Sequence, residues 1–494
     1  MSAPTTLALS EFPWLALLLL LLPAGAAITL LQPARTARWS ALTTAGLCLL
    51  LSLGITIGFN PSQPNFQYEF TASWIPSLNS HYLLGVDGIS VLFLPFTALL
   101  FIVVILANWN AIRFLPQLFF ALLLLLEGLL LGVFCALDTL LFMLCWELSL
   151  IPVYFLISLW GAGAQRRYAA GKYTLFMLFG GAPMLLGFVL LALQTPANPT
   201  FAYPELLANP IPAAQQTLIF FLLLTGVAVK IPLIPFHSWL PLIAQEGSAS
   251  AITLLLSLKI GVYALLRFVI PLAPQATLTY QWLLVGMGMF AVLYGAVTAM
   301  SQSNLRGVLA FSGISHVGLV VLGISSLSLA GLQGAIFQLL NFTLFTSSLF
   351  ILVGFLHQRS GTCELQSLGG LAGPMPRMAA FFLLFGLASM GIPLTSGFPA
   401  ELLLLSSVFS RYTGAGLLTL FTLIIGASGF LIAYRKAFWG PLLHPGNQRF
   451  AELKPREYGL LTLLAILVIG LGCYPQLILS VTEGASNQWL RWSP

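Results

Sequence analysis

The sequence predicts an all-α polytopic membrane protein with about fourteen transmembrane helices. Of its 494 residues, 59% are hydrophobic and only 6% are charged, and the mean hydropathy is +0.98. A soluble protein cannot bury that much apolar surface. The apolar residues form runs of about 20 residues, the length that crosses a bilayer. We therefore expect the lipid bilayer to be the main surroundings of the chain, and no soluble domain is apparent.

Runs of spanning length follow one another along the whole chain. They are centred near positions 22, 50, 97, 125, 149, 183, 225, 260, 290, 315, 343, 388, 425 and 468. The run at 14–31 has no basic stretch before it and no small-residue cleavage site after it, which predicts a retained helix rather than a signal peptide. Residues 377–409 can form one broken helix or two. The longest polar stretches are predicted connectors, at 60–85, 195–214, 356–376 and 438–456.

Positive charge is divided unequally between the two sets of alternate loops. Most of the 19 Lys and Arg lie in one set, whereas the other set carries Arg267, Arg411 and Arg491. Loops rich in Lys and Arg stay on the cytoplasmic side of a membrane. We name this the basic side and expect both chain ends to face the opposite side. The net charge of +6 then reflects topology and predicts no nucleic-acid partner.

Cofactor chemistry is not apparent in the sequence. The cysteines have no CxxC spacing, which argues against a disulfide framework, a zinc site and an iron–sulfur cluster; they are Cys48, Cys135, Cys145, Cys363 and Cys473. No Walker A sequence, no dinucleotide fingerprint and no pair of histidines at haem spacing is present. We therefore predict no cofactor and no metal in this chain. Energy for any transport must come from partner subunits or from another ion gradient.

Two apolar segments, 226–236 and 387–398, share an Ile-Pro-Leu core. Their prolines, Pro232 and Pro393, lie within spans, where proline removes a backbone hydrogen bond and kinks or breaks a helix. Broken helices at matching places in two halves are typical of inverted-repeat transporters, whose sites lie at the breaks. The alternative is that these are ordinary proline kinks of membrane helices.

Ionisable side chains occur inside the apolar runs. They are Glu127, Glu147, Lys230, Lys259 and Glu401. A charged side chain near the bilayer centre costs about 2.5–3.5 kcal/mol on insertion scales, so such residues usually mark an ion path. Their presence in a chain with so few charges predicts a proton or cation conductor.

Glu147 and Lys230 are candidates for a switching pair. Opposite charges about 4 Å apart attract by about 4 kcal/mol at an effective dielectric constant near 20. A Glu147–Lys230 pair that forms and breaks would therefore load and unload a proton on the lysine. The alternative is a static ion pair that fixes helix packing. Lys259 lies too deep in its run for its ammonium to reach the interface easily, which favours a functional role.

Three further residues are candidate relays, and one is a candidate exit. Glu127 lies on the span before Glu147. His237 follows the first break and is either a relay between bulk water and Lys230 or a capping or interface residue. His316 is either a central relay or a buried core histidine. Glu401 follows the second break and would suit an exit-side carboxylate. Asp138, at a span boundary, is expected to be a surface or helix-capping residue.

Motifs along nearly the whole chain resemble the antiporter-like membrane subunits of respiratory and photosynthetic complex I, above all the chain-four type (the D subunit) of the cyanobacterial and chloroplast complex. They lie at 84–90, 132–138, 146–154, 229–241, 309–318, 386–398 and 454–457. The resemblance implies fourteen helices containing two inverted five-helix repeats with broken helices. It divides the chain into N-terminal helices (1–116), a first repeat (117–272), a second repeat (273–438) and a C-terminal loop with the last helix (439–494).

The resemblance also implies roles for the buried charges. Glu147 and Lys230 would be the switching pair, Lys259 the central lysine and Glu401 the terminal site. The expected function is proton translocation in the membrane arm of a quinone-reducing NAD(P)H dehydrogenase-like complex, with plastoquinone as the quinone. Quinone and iron–sulfur clusters would belong to partner subunits, the other membrane-arm subunits would be neighbours, and the location would be a thylakoid or plasma membrane of a cyanobacterium-like cell.

The chain departs from the family pattern at two places. After Trp239 the family usually continues into an Asp-Ala-His or similar acidic stretch, whereas residues 242–247 read Leu-Ile-Ala-Gln-Glu-Gly. The eleventh span usually carries Ser-His-Gly, where this chain has Asn341, Phe342 and Thr343. Either the proton path runs through water and Asn341, or coupling differs from the respiratory form. These departures favour a form of the complex devoted to CO2 uptake, with the CO2 chemistry in partners.

Two other functions remain open at this stage. A subunit of a multi-subunit Na+/H+ antiporter would share the fold and much of the buried charge, and co-purifying iron–sulfur subunits would argue against it. A structural spacer, in which the charges only pin helices together, is the third hypothesis.

Overall fold

The computed structural model describes residues 12–194, 199–257, 260–441 and 448–492. In this part of the chain, twelve helices are long and apolar enough to cross a membrane, and two shorter apolar helices accompany them, Phe93–Ala107 and Pro376–Ser389. Every span centre predicted from the sequence falls within one of these helices. The predicted helical, multi-pass architecture is therefore confirmed.

The helices of the first half start with two spans that are mostly exposed on the outside of the protein. In chain order they are α1 (Trp14–Leu31), α2 (Ala34–Gly58), α3 (Phe93–Ala107), α4 (Pro116–Cys135), α5 (Thr139–Leu148), α6 (Leu150–Trp160), α7 (Arg166–Ala192), α8 (Tyr203–Ala208), α9 (Ala213–Lys230), α10 (Trp239–Glu246), α11 (Ala249–Ser257), α12 (Ile260–Ala264) and α13 (Ile270–Leu272). A π-helical turn, Leu265–Val269, joins α12 to α13.

The second half contains the two most buried spans, α16 and α17. Its helices are α14 (Pro274–Thr279), α15 (Gln281–Met300), α16 (Leu305–Ser325), α17 (Leu329–Ser360), α18 (Pro376–Ser389), α19 (Gly397–Arg411), α20 (Thr413–Phe438), α21 (Pro455–Cys473) and α22 (Gln476–Trp492). α16 packs against α15 and α17, and α17 also contacts α11 of the first half. The core therefore runs through both halves without interruption.

The connector predicted at 60–85 contains a β-hairpin. β1 (Gln67–Ile75) pairs antiparallel with β2 (Ser80–Val86), and a 3-10 turn precedes Asn79, whose φ of +50° closes the hairpin. Asn tolerates this left-handed conformation because its short side chain can hydrogen-bond locally. The sequence reasoning treated the segment only as polar, although the aromatic and β-branched residues of β1 favour a strand.

α5 begins at a buried cap. One oxygen of the Asp138 carboxylate accepts a hydrogen bond from the Leu140 N–H at 2.9 Å. The other accepts from the Ser80 hydroxyl and the His81 N–H, both at 3.0 Å. The predicted capping role is confirmed, whereas a surface position is wrong because the side chain is fully buried. The cap fixes the start of the helix that carries Glu147 to the hairpin.

Both predicted helix breaks are present. α9 ends at Lys230 and α10 begins at Trp239, and the segment 377–409 is one helix interrupted between Ser389 and Gly397. A helix end leaves carbonyl groups without partners inside the helix. At the first break the Trp239 indole N–H donates to the carbonyl of Val229 at 3.0 Å. The side chain that follows the break therefore satisfies part of the backbone that the break exposes.

A buried ion pair closes the end of the first half on the side opposite the basic side. The Arg267 guanidinium donates to both oxygens of Asp87, at 2.8 and 2.5 Å, and both side chains are buried. Three rings surround the guanidinium at 5.4–5.7 Å from their centroids, those of Phe66, Tyr203 and Tyr263. The charge distribution of the loops placed Arg267 on this side of the membrane but did not predict its contact with Asp87.

Replacing Arg267 by Met is expected to destabilise the protein, because the Asp87 carboxylate would stay buried without its counter-ion. Breaking one partner of such a pair costs about 3–5 kcal/mol, so the melting temperature and the assembled amount of Arg267→Met should fall clearly. Adding Asp87→Asn should recover part of the loss. Arg411→Gln, which changes an exposed arginine on the same side, is the control. Equal melting temperatures for Arg267→Met and Arg411→Gln would contradict this account.

Candidate functional site

Lys230 is the last residue of α9, directly before the first break. Its Nζ is buried and has no hydrogen-bond partner among the described residues. Nζ lies 4.4 Å from the centroid of the Trp146 ring, well within the ~6 Å range of a cation–π contact. Trp146, the residue before Glu147, therefore contacts the Lys230 ammonium group with its ring.

Glu147 lies near the end of α5, and both carboxylate oxygens are buried without a hydrogen-bond partner in the described part of the chain. Glu147 and Lys230 lie close enough for their charges to interact electrostatically. Among the described residues, however, the two do not form an ion pair within 4.0 Å. The structure thus holds the two groups as near neighbours that are not in contact.

Gly181 of α7 makes room for this carboxylate. A Cβ built on Gly181 would overlap Oε1 of Glu147. Glycine inside a helix costs about 0.5–1 kcal/mol relative to alanine, so its use here has a steric reason. The position of Glu147 against α7 therefore depends on position 181 having no side chain.

A small cavity lies beside Lys230. It is lined by Lys230, by the hydroxyl-bearing Ser149 and Tyr173, by Pro232 in the break, and otherwise by apolar and aromatic side chains of α4, α6, α7, α10, α11 and α12. The space open to the centres of water molecules is about 40 Å³, and one water needs roughly 10–15 Å³ of such space. About three waters therefore fit next to the ammonium group, where they can carry protons to and from it.

Glu127 does not belong to this neighbourhood. It is fully buried on α4, next to the thiol of Cys48 on α2. The residues of α4 that line the cavity are Leu126 and Leu130. α4 therefore turns Glu127 towards the N-terminal helices, away from Lys230.

His237 lies in a 3-10 turn inside the first break. Its ring stands 5.1 Å from that of Tyr294 on α15, and the charge of Lys172, a basic-side residue, acts on it. His237 is half-buried. It therefore lies between the break and the basic side, at the boundary of the two halves.

A second acidic site follows the second break. Oε1 of Glu401 on α19 lies 3.6 Å from Nδ1 of His316 on α16, and both side chains are buried. Gly391 has φ +63°, and a Cβ on it would crowd the Glu401 carboxylate. The break therefore uses a glycine both for its backbone conformation and for the close approach of this carboxylate.

α17 reaches the second break through an amide. Oδ1 of Asn341 accepts from the Ser396 hydroxyl at 2.5 Å, and its Nδ2 donates to Gln338 at 3.1 Å. The Ser396 N–H donates to the carbonyl of Val468 on α21 at 2.9 Å. Ser396 is thus held from two sides, and the hydrogen bond to Asn341 joins α17 to the loop before Glu401.

The chain matches the model of a known family, described as "NADH:quinone oxidoreductase/Mrp antiporter, TM", over residues 136–426. The match spans more than half of the chain and includes both helix breaks. The chain belongs to this family.

Several known proteins resemble the chain over nearly their full length. The "NAD(P)H-quinone oxidoreductase chain 4 2" of Synechococcus sp. (strain JA-3-3Ab) is 34% identical over 97% of this chain and 94% of the relative. A chain of respiratory complex I from Thermus thermophilus is 32% identical, with a TM-score of 0.89 over 97% of this chain and 100% of that one. A chain of the Mrp complex from Dietzia sp. DQ12-45-1b has a TM-score of 0.85 at 21% identity, over 97% of each chain. At this identity the likeness shows only that the two chains share a fold.

The structure groups the predicted site residues into two places within the family fold. Glu147 and Lys230 are neighbours at the first break, and Glu401 and His316 are neighbours at the second. Glu127 and His237 lie apart from both pairs, and Lys259 is outside the described residues. The roles predicted for all of them stay predictions.

Sequence reasoning missed four residues that shape these sites: Trp146, Tyr173, Gly181 and Ser396. A glycine pair inside the α7 pattern was a usable signal, because glycine in a helix usually permits a close approach. The other three depend on which faces of the helices meet, which one sequence does not specify.

Asn341→Leu is expected to destabilise the second half, because it leaves the Ser396 hydroxyl and the Gln338 amide buried without these partners. Each such loss costs about 1–3 kcal/mol, so the melting temperature should fall by several degrees. Thr343→Val is the control, since the Thr343 hydroxyl bonds only within its own helix. A melting temperature for Asn341→Leu as high as that of the control would show that the bridge to Ser396 does not stabilise the fold.

Proposed function

We propose that the chain is a proton-translocating membrane-arm subunit of a quinone-reducing, NAD(P)H dehydrogenase-like complex. One observation carries the proposal: the Lys230 ammonium group borders a water-sized cavity at a helix break and has the Glu147 carboxylate as a near neighbour. Both groups are buried and have no hydrogen-bond partner in the described part of the chain. The names of relatives that match nearly its whole length supply the kind of complex.

The first site works as a switch in this proposal. In the separated state the Lys230 ammonium lies over the Trp146 ring, a contact worth about 0.5–2 kcal/mol. If Glu147 closes to about 4 Å, the attraction is about 4 kcal/mol, enough to compete with the ring contact. Closing holds a proton on the lysine, and opening releases it through waters in the cavity lined by Tyr173 and Ser149.

The two halves repeat the same plan in this proposal, as residues 117–272 and 273–438. Each half has a broken helix, and each break lies next to a buried ionisable residue, Lys230 or Glu401. Protons would pass from the first site through Lys259 to Glu401 and His316, with Glu127 and His237 as side relays. The pairing of Glu401 with His316 gives the second site a base that can take over a proton at 3.6 Å with little movement.

Partner subunits complete the function. The other membrane-arm subunits pack against this chain. In this proposal quinone and the iron–sulfur clusters belong to partner subunits, and this chain carries no redox centre of its own. Plastoquinone is the expected quinone, and the thylakoid or plasma membrane of a cyanobacterium-like cell is the expected location. The departures at 242–247 and at Asn341, Phe342 and Thr343 favour the CO2-uptake form of the complex.

A Na+/H+ antiporter subunit is the second candidate. The likeness to the Mrp chain favours it only at the level of the fold, whereas the named oxidoreductase chain is 34% identical. Purification of the native complex separates the two, because iron–sulfur subunits would accompany the chain only in an oxidoreductase.

Lys230→Met is expected to lower the number of protons moved per electron while quinone reduction continues. Removing a positioned proton carrier slows its proton transfer by about 10²–10⁴-fold, so this subunit's share of pumping should vanish. The measurement follows proton uptake and quinone reduction separately in the assembled complex. Lys436→Met, an exposed lysine on the basic side, is the control. Unchanged stoichiometry in assembled Lys230→Met would support the spacer hypothesis instead.

Gly181→Ala is expected to impair pumping without touching an ionisable residue. The added methyl group overlaps the Glu147 carboxylate and must displace it, and a shift of about 1 Å can slow a transfer about 10²-fold. Gly171→Ala, on the same helix with open space at its Cβ position, is the matched control. If both variants pump like the parent, the position of Glu147 against α7 does not matter for transfer.

A further inference from the structure

Two arginines lie near each other at the basic end of three helices. Arg38 is in the second turn of α2, and Arg456 is in the first turn of α21. α3 packs against both helices, and its last residues run into Trp109 and Asn110, which Arg38 contacts. The positive charge of Arg38 acts on Arg456. Two like charges are therefore held within electrostatic reach of each other.

Neither guanidinium is neutralised by a carboxylate in the described part of the chain. Arg38 donates to the carbonyl of Trp109 at 3.4 Å and to the side chain of Asn110 at 3.3 Å, and its Cζ lies 5.1 Å from the Trp109 ring. The Nε atoms of Arg38 and Arg456 are both buried without a hydrogen-bond partner. A buried donor without a partner costs about 1–3 kcal/mol. An acceptor that binds to Arg38 and Arg456 would remove this cost.

The nearby carboxylates are committed elsewhere. Glu457, whose charge acts on Arg456, bonds Arg359 at 2.5 Å and the Lys454 N–H at 3.0 Å. Glu452 accepts from the backbone N–H groups at the start of α18. The acceptor that Arg38 and Arg456 lack must therefore come from outside the described residues.

The surroundings fit the headgroup of a lipid. Only 33% of the spanning window of α2, and of that of α21, is buried inside the protein, so lipid can reach both helices. Trp39, 56% exposed, packs edge-on against Trp109 at 4.7 Å, and exposed indoles settle at the level of lipid headgroups. Basic pockets between helices on the cytoplasmic side bind anionic headgroups.

We propose that the anionic headgroup of a membrane lipid, a phosphate or a sulfonate, binds between Arg38 and Arg456 on the basic side. The headgroup oxygens accept from both guanidinium groups, and the acyl chains lie along α2 and α21. The proposal does not depend on the proton-transfer sites, which lie at the helix breaks.

Lipid retained by the native complex is the test, with phosphatidylglycerol counted per complex by mass spectrometry. Each arginine near a membrane surface contributes about 1 kcal/mol of attraction to anionic lipid, about fivefold in affinity. Arg38→Gln and Arg456→Gln should therefore each bind phosphatidylglycerol about fivefold more weakly. Each variant should consequently retain less phosphatidylglycerol per complex than the parent. Arg435→Gln, an exposed arginine at the same side of the membrane, should retain the parent amount. Equal retention in all three variants would overturn the proposal.

A second measurement distinguishes a lipid from a free anion and does not need the glutamine variants to assemble. The parent complex and the charge-keeping Arg456→Lys variant are placed in phosphatidylcholine nanodiscs, with or without phosphatidylglycerol. Phosphatidylglycerol should raise the melting temperature of the parent, and of Arg456→Lys by a smaller amount. Inorganic phosphate added to phosphatidylcholine discs should not raise it. Equal stabilisation by phosphate would refute a lipid site, and no stabilisation by phosphatidylglycerol would refute it as well.

Discussion

The structure depends on where the chain places its ionisable side chains and unpaired backbone groups in a medium without water. In a bilayer, backbone groups and ionisable side chains must find partners inside the protein, because lipid offers none. This chain interrupts two spans and uses the interruptions to place charge. At the first break the Trp239 indole satisfies a freed carbonyl, and Lys230 occupies the last helical position. At the second, Ser396 is held by α17 and α21, and Glu401 follows one turn into the new helix.

Two buried acid–base pairs in the same protein show two different solutions to this problem. Arg267 and Asp87 meet through two hydrogen bonds inside a ring of aromatic side chains, the geometry that repays the desolvation of both ions. Lys230 and Glu147 are near each other but apart, and neither has a hydrogen-bond partner among the described residues. A pair whose only task was to fix helix packing would be expected to resemble the first arrangement. The separated pair is better suited to a group that exchanges protons.

Much of the fold could be predicted because the bilayer sets the length of every span and gives every buried charge a free-energy cost. These two rules located the spans and the residues Glu147, Lys230 and Glu401, and Pro232 and Pro393 indicated both breaks. They could not locate Trp146, Gly181 or the Asp87–Arg267 contact, because those depend on how helices rotate against their neighbours. The hairpin at 67–86 was missed for another reason: the segment was treated only as a polar connector, although Tyr68, Phe70 and Trp74 alternate with polar residues as in a strand.

In the second half, the side chains at positions 341 and 342 limit the proposed proton path without altering the fold. An amide cannot take up a proton at neutral pH, and neither can the phenyl ring of Phe342. Asn341 can therefore hold Ser396 in place, but neither of these two side chains can relay a proton. The described polar groups of the site that can do so are Glu401 and His316, which lie on α19 and α16. Next to His316 a cavity lined by Ser312 and Ser315 leaves about 30 Å³ to water centres, enough for about two waters by the same measure as before. For the proposed proton transfer in the second half, we therefore expect a path along the α16 side through water, while α17 holds the second break through the hydrogen bond from Ser396 to Asn341.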